Sequence, residues 1–304
     1  MTWSPSVIGI GAEKSATTWA WTMLNEHPSV RMSQPKELNF FTLDENFVRG
    51  ESWYRQHFAT DAECSGEISP LYMDDDRVAQ RIRDMYPDSK ILVMLRNPFD
   101  RAMSHLFHDA SVHYGKVATL TAPQLQALVA KDDKYIRRSS YHEALAPFFE
   151  AFPENQIGVY FFDEVKNDGL NLAQRLYEFA GVDADFVPSQ FDEKVNESQD
   201  LRPAAKLVMG LSKIVRSFPP TRLAMEWIYR RTQLREKIIR LLMVDRGRPE
   251  IQFDEVFSGA AAADLSIDLQ KLNAMLSAGV PAAWMQQHYC VSDQPFESGG
   301  LMAA

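Results

Sequence analysis

The sequence predicts an α/β fold with a central parallel sheet, plus a mainly helical C-terminal region. Three short apolar runs, at residues 6–11, 91–95 and 157–162, are each followed by a stretch with helical character. Runs of this length are typical of strands buried on both faces, and their alternation with helices is typical of a doubly wound sheet. Beyond about Pro203 the strand-like runs fade and helical patterns dominate.

Local signals justify the helices in chain order. The first apolar run leads into a helix over Thr17–Glu26, whose start offers Ser and Thr side chains as caps. Pro98 suits the first turn of a helix that extends to about residue 112. Gly181 suits the position just beyond a helix over residues 171–180. Further helices are expected over residues 141–152, 204–218, 223–244 and 263–276.

Composition limits the classes of function. The chain has 304 residues, 45% of them hydrophobic, and 32 Lys and Arg against 41 Asp and Glu give a formal net charge of −9. The hydrophobic fraction excludes a disordered chain. The acidic balance argues against a nucleic-acid-binding protein, which needs a basic surface, but leaves room for a local anion site. We expect one domain over residues 1–304, with an α/β core at 5–200, a basic subregion at 202–248 and a helical closure at 249–304.

The cellular location follows from features that the sequence lacks. Its two cysteines are far apart and do not form a disulfide framework. The first residues carry no signal-peptide pattern, and no apolar run is long enough to span a membrane. We therefore expect a cytoplasmic protein.

A loop suited to binding phosphate lies between the first apolar run and the first predicted helix. Residues 9–19, GIGAEKSATTW, place Lys14 and the hydroxyls of Ser15, Thr17 and Thr18 at a helix start, where backbone N–H groups favour an anion. The loop departs from the nucleoside-triphosphate pattern G-x-x-x-x-G-K-[ST], because Lys14 stands where that pattern needs its second glycine. Taken alone, the loop is also explained by a glycine turn before a capped helix.

A second group of anion-binding residues follows the second apolar run. Arg96 stands at the predicted strand end, where a Walker-type NTPase has an Asp that helps to hold Mg²⁺. If Pro98 begins a helix, Ser104 lies on its second turn and can share a ligand oxygen with Arg96. Arginine is the expected side chain at a fixed anion because its planar fork offers several donors. Two anion sites on adjacent strand–helix units imply one ligand with phosphates at both ends.

These motifs resemble those of the sulfotransferase superfamily, whose members use 3′-phosphoadenosine-5′-phosphosulfate (PAPS). Residues 13–19 are similar to the family's 5′-phosphosulfate loop, and residues 96–104, RNPFDRAMS, to its 3′-phosphate motif. Residues 35–41, PKELNFF, resemble the K-E-x-x-F-F element of the heparan-sulfate type. The resemblance covers about residues 5–200 and implies a P-loop-like three-layer α/β/α fold. The PAPS ligands that it implies are Lys14, Ser15, Ala16, Thr17, Thr18, Trp19, Arg96 and Ser104.

The resemblance also implies a reaction: in-line, metal-independent transfer of a sulfuryl group from PAPS to a hydroxyl or amine acceptor, with a general base. Lys14 stabilises the leaving 3′,5′-adenosine bisphosphate (PAP). Glu37 matches the glutamate that acts as base in the heparan-sulfate type, and its pKa has to rise, for which partial burial against Phe40 and Phe41 is the expected cause. His108 matches a functional histidine of the N-sulfotransferase type and is the alternative base. The sequence shows no metal-ligand cluster, and the reaction requires no metal.

Two features separate the chain from the heparan-sulfate type. Ile68 stands where the 3-O enzymes typically carry a lysine, so the acceptor-side role of that lysine does not carry over. The phosphate loop starts a few residues from the N-terminus, whereas Golgi members have a membrane anchor, which favours a bacterial-type cytosolic enzyme. The identity of the acceptor and the oligomeric state stay open.

The resemblance does not explain residues 202–248, which hold twelve Lys and Arg against three acidic residues. Apolar residues recur there at near-helical spacing, which predicts an amphipathic helical pair on the sheet with a solvated basic face. The alternatives are a surface that recruits an anionic acceptor or lipid headgroups, as in a peripheral membrane protein, and a dimer interface.

Two other functions fit part of the pattern. One is a small-molecule kinase with a divergent P-loop, against which the missing glycine and the missing Asp after the second apolar run both argue. The other is a non-catalytic module that binds adenosine bisphosphate. The presence of Lys14 together with Glu37 favours catalysis over binding alone.

Overall fold

The protein contains a central sheet of five parallel strands. The structure, a computed structural model, describes residues 3–59, 62–114, 119–192, 200–201, 243–244 and 249–286. The strands of the central sheet are β1 (Val7–Gly11), β2 (Val30–Met32), β3 (Cys64–Ile68), β4 (Lys90–Leu95) and β5 (Ile157–Phe161). Their order across the sheet is β2–β3–β1–β4–β5, and every neighbouring pair is parallel.

Helices connect the strands and extend the C-terminal part of the described chain. They are α1 (Thr17–Glu26), α2 (Asp44–Phe47), α3 (Gly50–Arg55), α4 (Arg77–Met85), α5 (Pro98–Tyr114), α6 (Ala122–Val129), α7 (Lys134–Arg137), α8 (Tyr141–Ala151), α9 (Phe162–Asn167), α10 (Gly169–Ala180), α11 (Gly259–Met275) and α12 (Ala282–Gln286). Short 3₁₀ turns lie at Pro70–Asp74 and Glu154–Gln156. Within the described ranges, no helix is both long and apolar enough to cross a lipid bilayer.

The central strand β1 determines where a ligand site forms. It lies between β3 and β4, and all five of its residues are buried. Because the strands are parallel, their carboxyl ends meet at one edge of the sheet, and ligands of open α/β sheets bind outside that edge. The loops that follow β1, β3 and β4 therefore converge there.

Two apolar cores lie on opposite faces of the sheet. On β4, Ile91, Val93 and Leu95 join the cluster that packs with α4, α8 and α11. The alternate residues Leu92 and Met94 join the cluster on the other face, with α1 and α10. Side chains of a strand alternate between faces, so an uninterrupted apolar run serves both cores. This arrangement confirms the predicted three-layer α/β/α fold.

The apolar strands and most of their helices confirm the sequence-based prediction. The helix over Thr17–Glu26 has the predicted bounds, Pro98 begins α5, and Gly181 ends α10 with a left-handed φ of 83°. Strands β2 and β3 were not predicted. The sequence of β3, CSGEI, contains three residues that rarely form a buried strand, yet all five are buried.

For the C-terminal part, the predicted helical character is compared with the structure over the described residues alone. Helices α11 and α12 confirm it. Two short strands, β6 (Asp200–Leu201) and β7 (Met243–Val244), pair in antiparallel fashion, so the predicted helix over residues 223–244 is wrong at its last two positions. The rest of that helix, the helix over residues 204–218 and most of the basic subregion at 202–248 lie outside the described residues.

Candidate active site

The loop between β1 and α1 has the backbone geometry of an anion cradle. Lys14 and Ala16 both adopt left-handed conformations, with φ of 69° and 63°. Turns of this kind direct successive N–H groups into one concavity. Ala16 is the N-cap of α1 and supplies no side-chain acceptor, so the first N–H groups of the helix are left for another partner. The loop is tied to the sheet by the Ala12 N–H, which donates to the Met94 carbonyl oxygen at 2.7 Å.

Each predicted anion position has a buried polar atom that makes no hydrogen bond of good geometry with the described residues: Ser15 Oγ in the first and Arg96 Nε in the second. Ser15 is 0% exposed. Its polar neighbour, the Tyr141 hydroxyl, donates to the Arg96 carbonyl oxygen at 2.9 Å. Burying an unpaired donor costs about 1–3 kcal/mol, so such atoms indicate a missing partner. An anion would satisfy both.

The second predicted anion position lies where β4 ends and α5 begins. Arg96 follows β4 directly, and its guanidinium lies 4.6 Å from the centre of the Phe162 ring at the start of α9. The Asn97 side chain caps α5 by accepting from the N–H groups of residues 99 and 100 at 3.0 and 3.3 Å. Ser104 lies on the second turn of α5 and is 5% exposed. The helix start therefore brings Arg96 and Ser104 to the same strand end.

The three residues at the start of α1 differ in accessibility. Thr17 is buried, and its hydroxyl accepts from Lys36 Nζ at 3.4 Å, whereas Thr18 is exposed. The indole of Trp19 packs in the core, and its Nε1 donates to the Phe191 carbonyl oxygen at 3.4 Å. The Trp19 side chain is thus part of the core. Only the backbone N–H of this residue, in the first turn of α1, is left to contact a ligand.

The candidate base Glu37 is paired with its neighbour. Lys36 Nζ lies 2.9 Å from Glu37 Oε1, and the two side chains are 17% and 46% exposed. The expected burial of Glu37 against Phe40 and Phe41 is wrong, because both rings lie in the core while the carboxylate faces outward to Lys36. Burial lowers the pKa of Lys36, which the charge of Glu37 partly offsets. Through Lys36, the base candidate is tied to Thr17 at the phosphate loop.

The alternative base, His108, lies on α5 near the same loop. Its residue is exposed, and Ser111 Oγ donates to its carbonyl oxygen at 2.6 Å. Partial burial of the ring and the charge of Lys14 lower the pKa of His108, which favours the neutral imidazole. The site therefore holds two groups able to act as a base.

A charge network that the sequence did not reveal supports the phosphate loop. Arg138 lies between two carboxylates, with Glu13 Oε2 at 3.0 Å and Asp74 Oδ2 at 3.1 Å. His105 Nε2 lies 3.8 Å from Glu13, and its Nδ1 lies 3.0 Å from the guanidinium of the buried Arg101. Burial lowers the pKa of His105 to about 4. His105 is 3% exposed and couples α5 to the loop.

The sequence did not predict two side chains that contact residues of the phosphate loop: Lys36 and Arg138. Lys36 stands inside the K-E-x-x-F-F element, but its contact with Thr17 depends on the fold and cannot be read from the sequence. Arg138 is 125 positions from Glu13 in the chain. A contact at that separation leaves no local pattern to recognise.

A phosphate-type loop and a second cationic strand end on one sheet edge define a P-loop-like α/β protein with two anion positions. Comparison with known proteins agrees. The sulfotransferase domain family matches residues 4–201, and the chain belongs to this family. A crystal structure of a sulfotransferase from Alicyclobacillus acidocaldarius superposes with a TM-score of 0.54 at 26% identity, covering 72% of this chain and 93% of that one. The resemblance to sulfotransferases is confirmed.

Named relatives are similar over a shorter stretch. The heparan sulfate glucosamine 3-O-sulfotransferase 5 of Mus musculus is 30% identical over 186 residues, which are 59% of this chain and 54% of that protein. The bifunctional heparan sulfate N-deacetylase/N-sulfotransferase 1 of Caenorhabditis elegans is 27% identical over 175 residues, 53% of this chain and 20% of that protein. The chain thus spans about half the length of the first relative and a fifth of the second.

Proposed function

We propose that the protein transfers a sulfuryl group from PAPS to a hydroxyl or amine acceptor. The observation that carries this proposal is a pair of buried donors on adjacent strand–helix units, Ser15 Oγ and Arg96 Nε, which make no hydrogen bond of good geometry with the described residues. PAPS carries a phosphate at both the 3′ and the 5′ position of its ribose, so one molecule would supply an anion to each of these two units. Membership of the sulfotransferase family supports the same ligand.

The residues present fit this ligand. Lys14, the Ser15 and Thr17 hydroxyls and the N–H groups at the start of α1 would hold the 5′ end, where the helix dipole also favours an anion. Arg96 and Ser104 would hold the 3′-phosphate. When bound, PAPS supplies an activated sulfuryl group whose bond to the 5′-phosphate oxygen breaks as a bond to the acceptor oxygen or nitrogen forms.

Different side chains would then have different roles in the transfer. Lys14, at the centre of the cradle, neutralises the charge that develops on the leaving phosphate, an effect that fixed charges provide without reorganisation. Lys36, 3.4 Å from Thr17 Oγ1, adds a second cation beside the loop. Glu37 or His108 accepts the proton that the acceptor loses. Positioning and electrostatics thus supply most of the rate enhancement, as in phosphoryl transfer.

The nature of the acceptor is proposed only as a hydroxyl or an amine. The two relatives named above act on heparan sulfate by their names. The carboxylate beside the phosphate loop locates a base, and a base serves a sugar, a lipid or a small alcohol equally well.

A transfer assay tests the proposal directly. Incubation of the protein with ³⁵S-labelled PAPS and an extract of the producing organism should give a labelled product. Lys14→Met should lower the labelling rate by about 10²–10³-fold, the usual effect of removing one group that stabilises the developing charge. The matched control is Lys131→Met, an exposed lysine after α6 that belongs to neither candidate anion position, which should label at the wild-type rate. Equal rates for the two variants would refute the role of Lys14, and absence of labelling by the wild-type protein would count against the proposed function.

A further inference from the structure

A fully buried carboxylate lies beside the loop that carries the candidate base. Glu67, in β3, is 0% exposed. Its Oε1 accepts from the hydroxyls of Tyr54 and Tyr72, both at 2.7 Å, and its Oε2 accepts from Ser69 Oγ at 2.9 Å. The backbone N–H of Leu38 is a fourth donor. Burying a carboxylate is costly unless hydrogen bonds occupy its lone pairs, and here they do.

Two of the hydroxyls that donate to Glu67, those of Ser69 and Tyr72, also accept hydrogen bonds from the loop that follows Glu37. Four consecutive N–H groups, those of residues 38–41, end either on the carboxylate or on one of these hydroxyls. The contacts made through hydroxyls are Asn39 N to Ser69 Oγ at 3.0 Å, Phe40 N to the Tyr72 hydroxyl at 2.8 Å and Phe41 N to the Tyr72 hydroxyl at 3.4 Å.

The direction of these hydrogen bonds requires an acceptor at position 67. A hydroxyl has one proton, so when Ser69 and Tyr72 accept from backbone N–H groups, their own protons are directed to Glu67. An ionised carboxylate accepts at every lone pair and donates nothing. A carboxamide of the same shape would turn an NH₂ group toward one of these donors. Glu67 is therefore the group to which the hydrogen bonds of the whole loop converge.

We propose that Glu67 is a positioning residue for sulfuryl transfer: it fixes the backbone that follows Glu37 and so holds Glu37 and Lys36 at the phosphate loop. This inference rests on the proposed function, with Glu37 rather than His108 as the base. Glu67 is fully buried and does not itself reach an acceptor. Its effect passes through the loop, whose Lys36 ammonium lies 3.4 Å from Thr17 Oγ1.

Hydrogen–deuterium exchange of the full-length protein at pH 8 tests the contact without any acceptor. In Glu67→Gln, amides 38–41 should exchange at least about tenfold faster than in the wild type, because the hydroxyls that accept from residues 39–41 lose the carboxylate that orients them, while the rest of the sheet keeps its protection. The matched control is Tyr86→Phe. Tyr86 is a buried tyrosine of the same core whose hydroxyl lies 3.4 Å from Glu51 rather than on Glu67, so its loss should leave amides 38–41 unchanged.

Kinetics with labelled PAPS and the same extract separate positioning from general stability. Glu67→Gln should lower kcat at least about tenfold, since displacing a reacting group by about 1 Å can cost 10²-fold, and should leave the KM for PAPS within about twofold. In a Glu37→Gln background the same substitution should cost less than about twofold, because residues that act through one another are not additive.

Several results would overturn the assignment. Unchanged exchange at amides 38–41 in folded Glu67→Gln would do so, as would equal kinetic costs in the two backgrounds. If Glu67→Gln does not fold, Tyr72→Phe removes the acceptor of two loop amides and keeps the carboxylate; unchanged exchange in that variant would be equally decisive. Failure of the wild-type protein to bind PAP, measured separately by calorimetry, would instead count against the proposed function and leave the exchange result standing.

Discussion

The phosphate loop and the loop that follows Glu37 lie side by side at one sheet edge, yet their polar groups are treated in opposite ways. At the phosphate loop, Ser15 Oγ and Arg96 Nε are buried without a hydrogen bond of good geometry among the described residues. In the neighbouring loop, each N–H from residue 38 to residue 41 is bound. The first region leaves two buried donors for a ligand, whereas the backbone N–H groups of the second are already bonded within the protein.

This difference distinguishes the region that binds a ligand from the region that is rigid. A buried donor without a partner is tolerated only where binding a ligand repays its cost. A fully satisfied polar network instead holds a chain segment in one conformation. The phosphate loop is therefore the element that should respond to ligand, whereas the Glu37 loop should be rigid before ligand arrives.

Loss of the base should give the largest effect, because the base acts on the reacting atoms themselves. Of Glu37→Gln and His108→Ala, the one that removes the true base should lower the rate of labelled transfer by at least about 10²-fold. PAP affinity should stay within about twofold in both variants, since neither residue belongs to the phosphate positions. The measurement is the initial transfer rate at saturating PAPS. Rates within tenfold of the wild type for both variants would remove both assignments.

Arg96→Met should have the next largest effect and concerns the first region alone. Hydrogen bonds to charged groups contribute about 1.5–3 kcal/mol, so PAP should bind about tenfold to a hundredfold more weakly. Adenosine 5′-monophosphate lacks the 3′-phosphate and serves as the control ligand, whose affinity should change less than about twofold. Calorimetric titration of both ligands into wild type and variant gives the comparison. An equal loss for the two ligands would show that Arg96 does not hold the 3′-phosphate.

The smallest expected effect is on stability and concerns the second region. Burial raises the pKa of Glu67 from 4.5 to about 7, although hydrogen bonds from Tyr72, Tyr54 and Ser69 oppose the shift, and the ammonium of Lys36 lies nearby. The folded protein therefore binds a proton more tightly than the unfolded chain, so this contribution falls as pH rises from about 4.5 to about 7.

The measurement is the free energy of unfolding by urea at a series of pH values. Relative to Glu67→Gln, which does not titrate at this position, the wild type should lose up to about 3 kcal/mol across that window, by the usual conversion of a pKa shift. Above pH 7 the difference between the two proteins should be flat. A difference that stays flat between about pH 5 and pH 7 would show that the folded protein holds Glu67 ionised throughout the window.

The sequence predicted those parts of the fold and the site whose cause is local. The apolar runs of β1, β4 and β5 serve cores on both faces, so they show in the sequence as uninterrupted hydrophobic stretches. Pro98 and Gly181 act through their own backbone preferences, and both stand where predicted. The residues of the phosphate loop lie within a few positions of one another, which makes their pattern recognisable.

What was missed depends on contacts between distant parts of the chain. The strand β3 contains Glu67, which is an unlikely residue for a buried strand until Tyr54 and Tyr72 are known to surround it. Likewise the charge of Glu13 is balanced by Arg138, far along the chain. The outward position of Glu37 depends on Lys36, whose own place is set by Thr17. Each of these is a property of the packed molecule rather than of a local pattern.

The most direct test of the central claim is a calorimetric comparison of two nucleotides on the wild-type protein. If the unpartnered donors at the sheet edge form a site for a 3′,5′-bisphosphate, PAP should bind with a dissociation constant at least about a hundredfold below that of ATP with Mg²⁺, a difference of about 2.7 kcal/mol. Tighter binding of ATP with Mg²⁺, with PAP binding weakly or not at all, would contradict the assignment and favour a kinase.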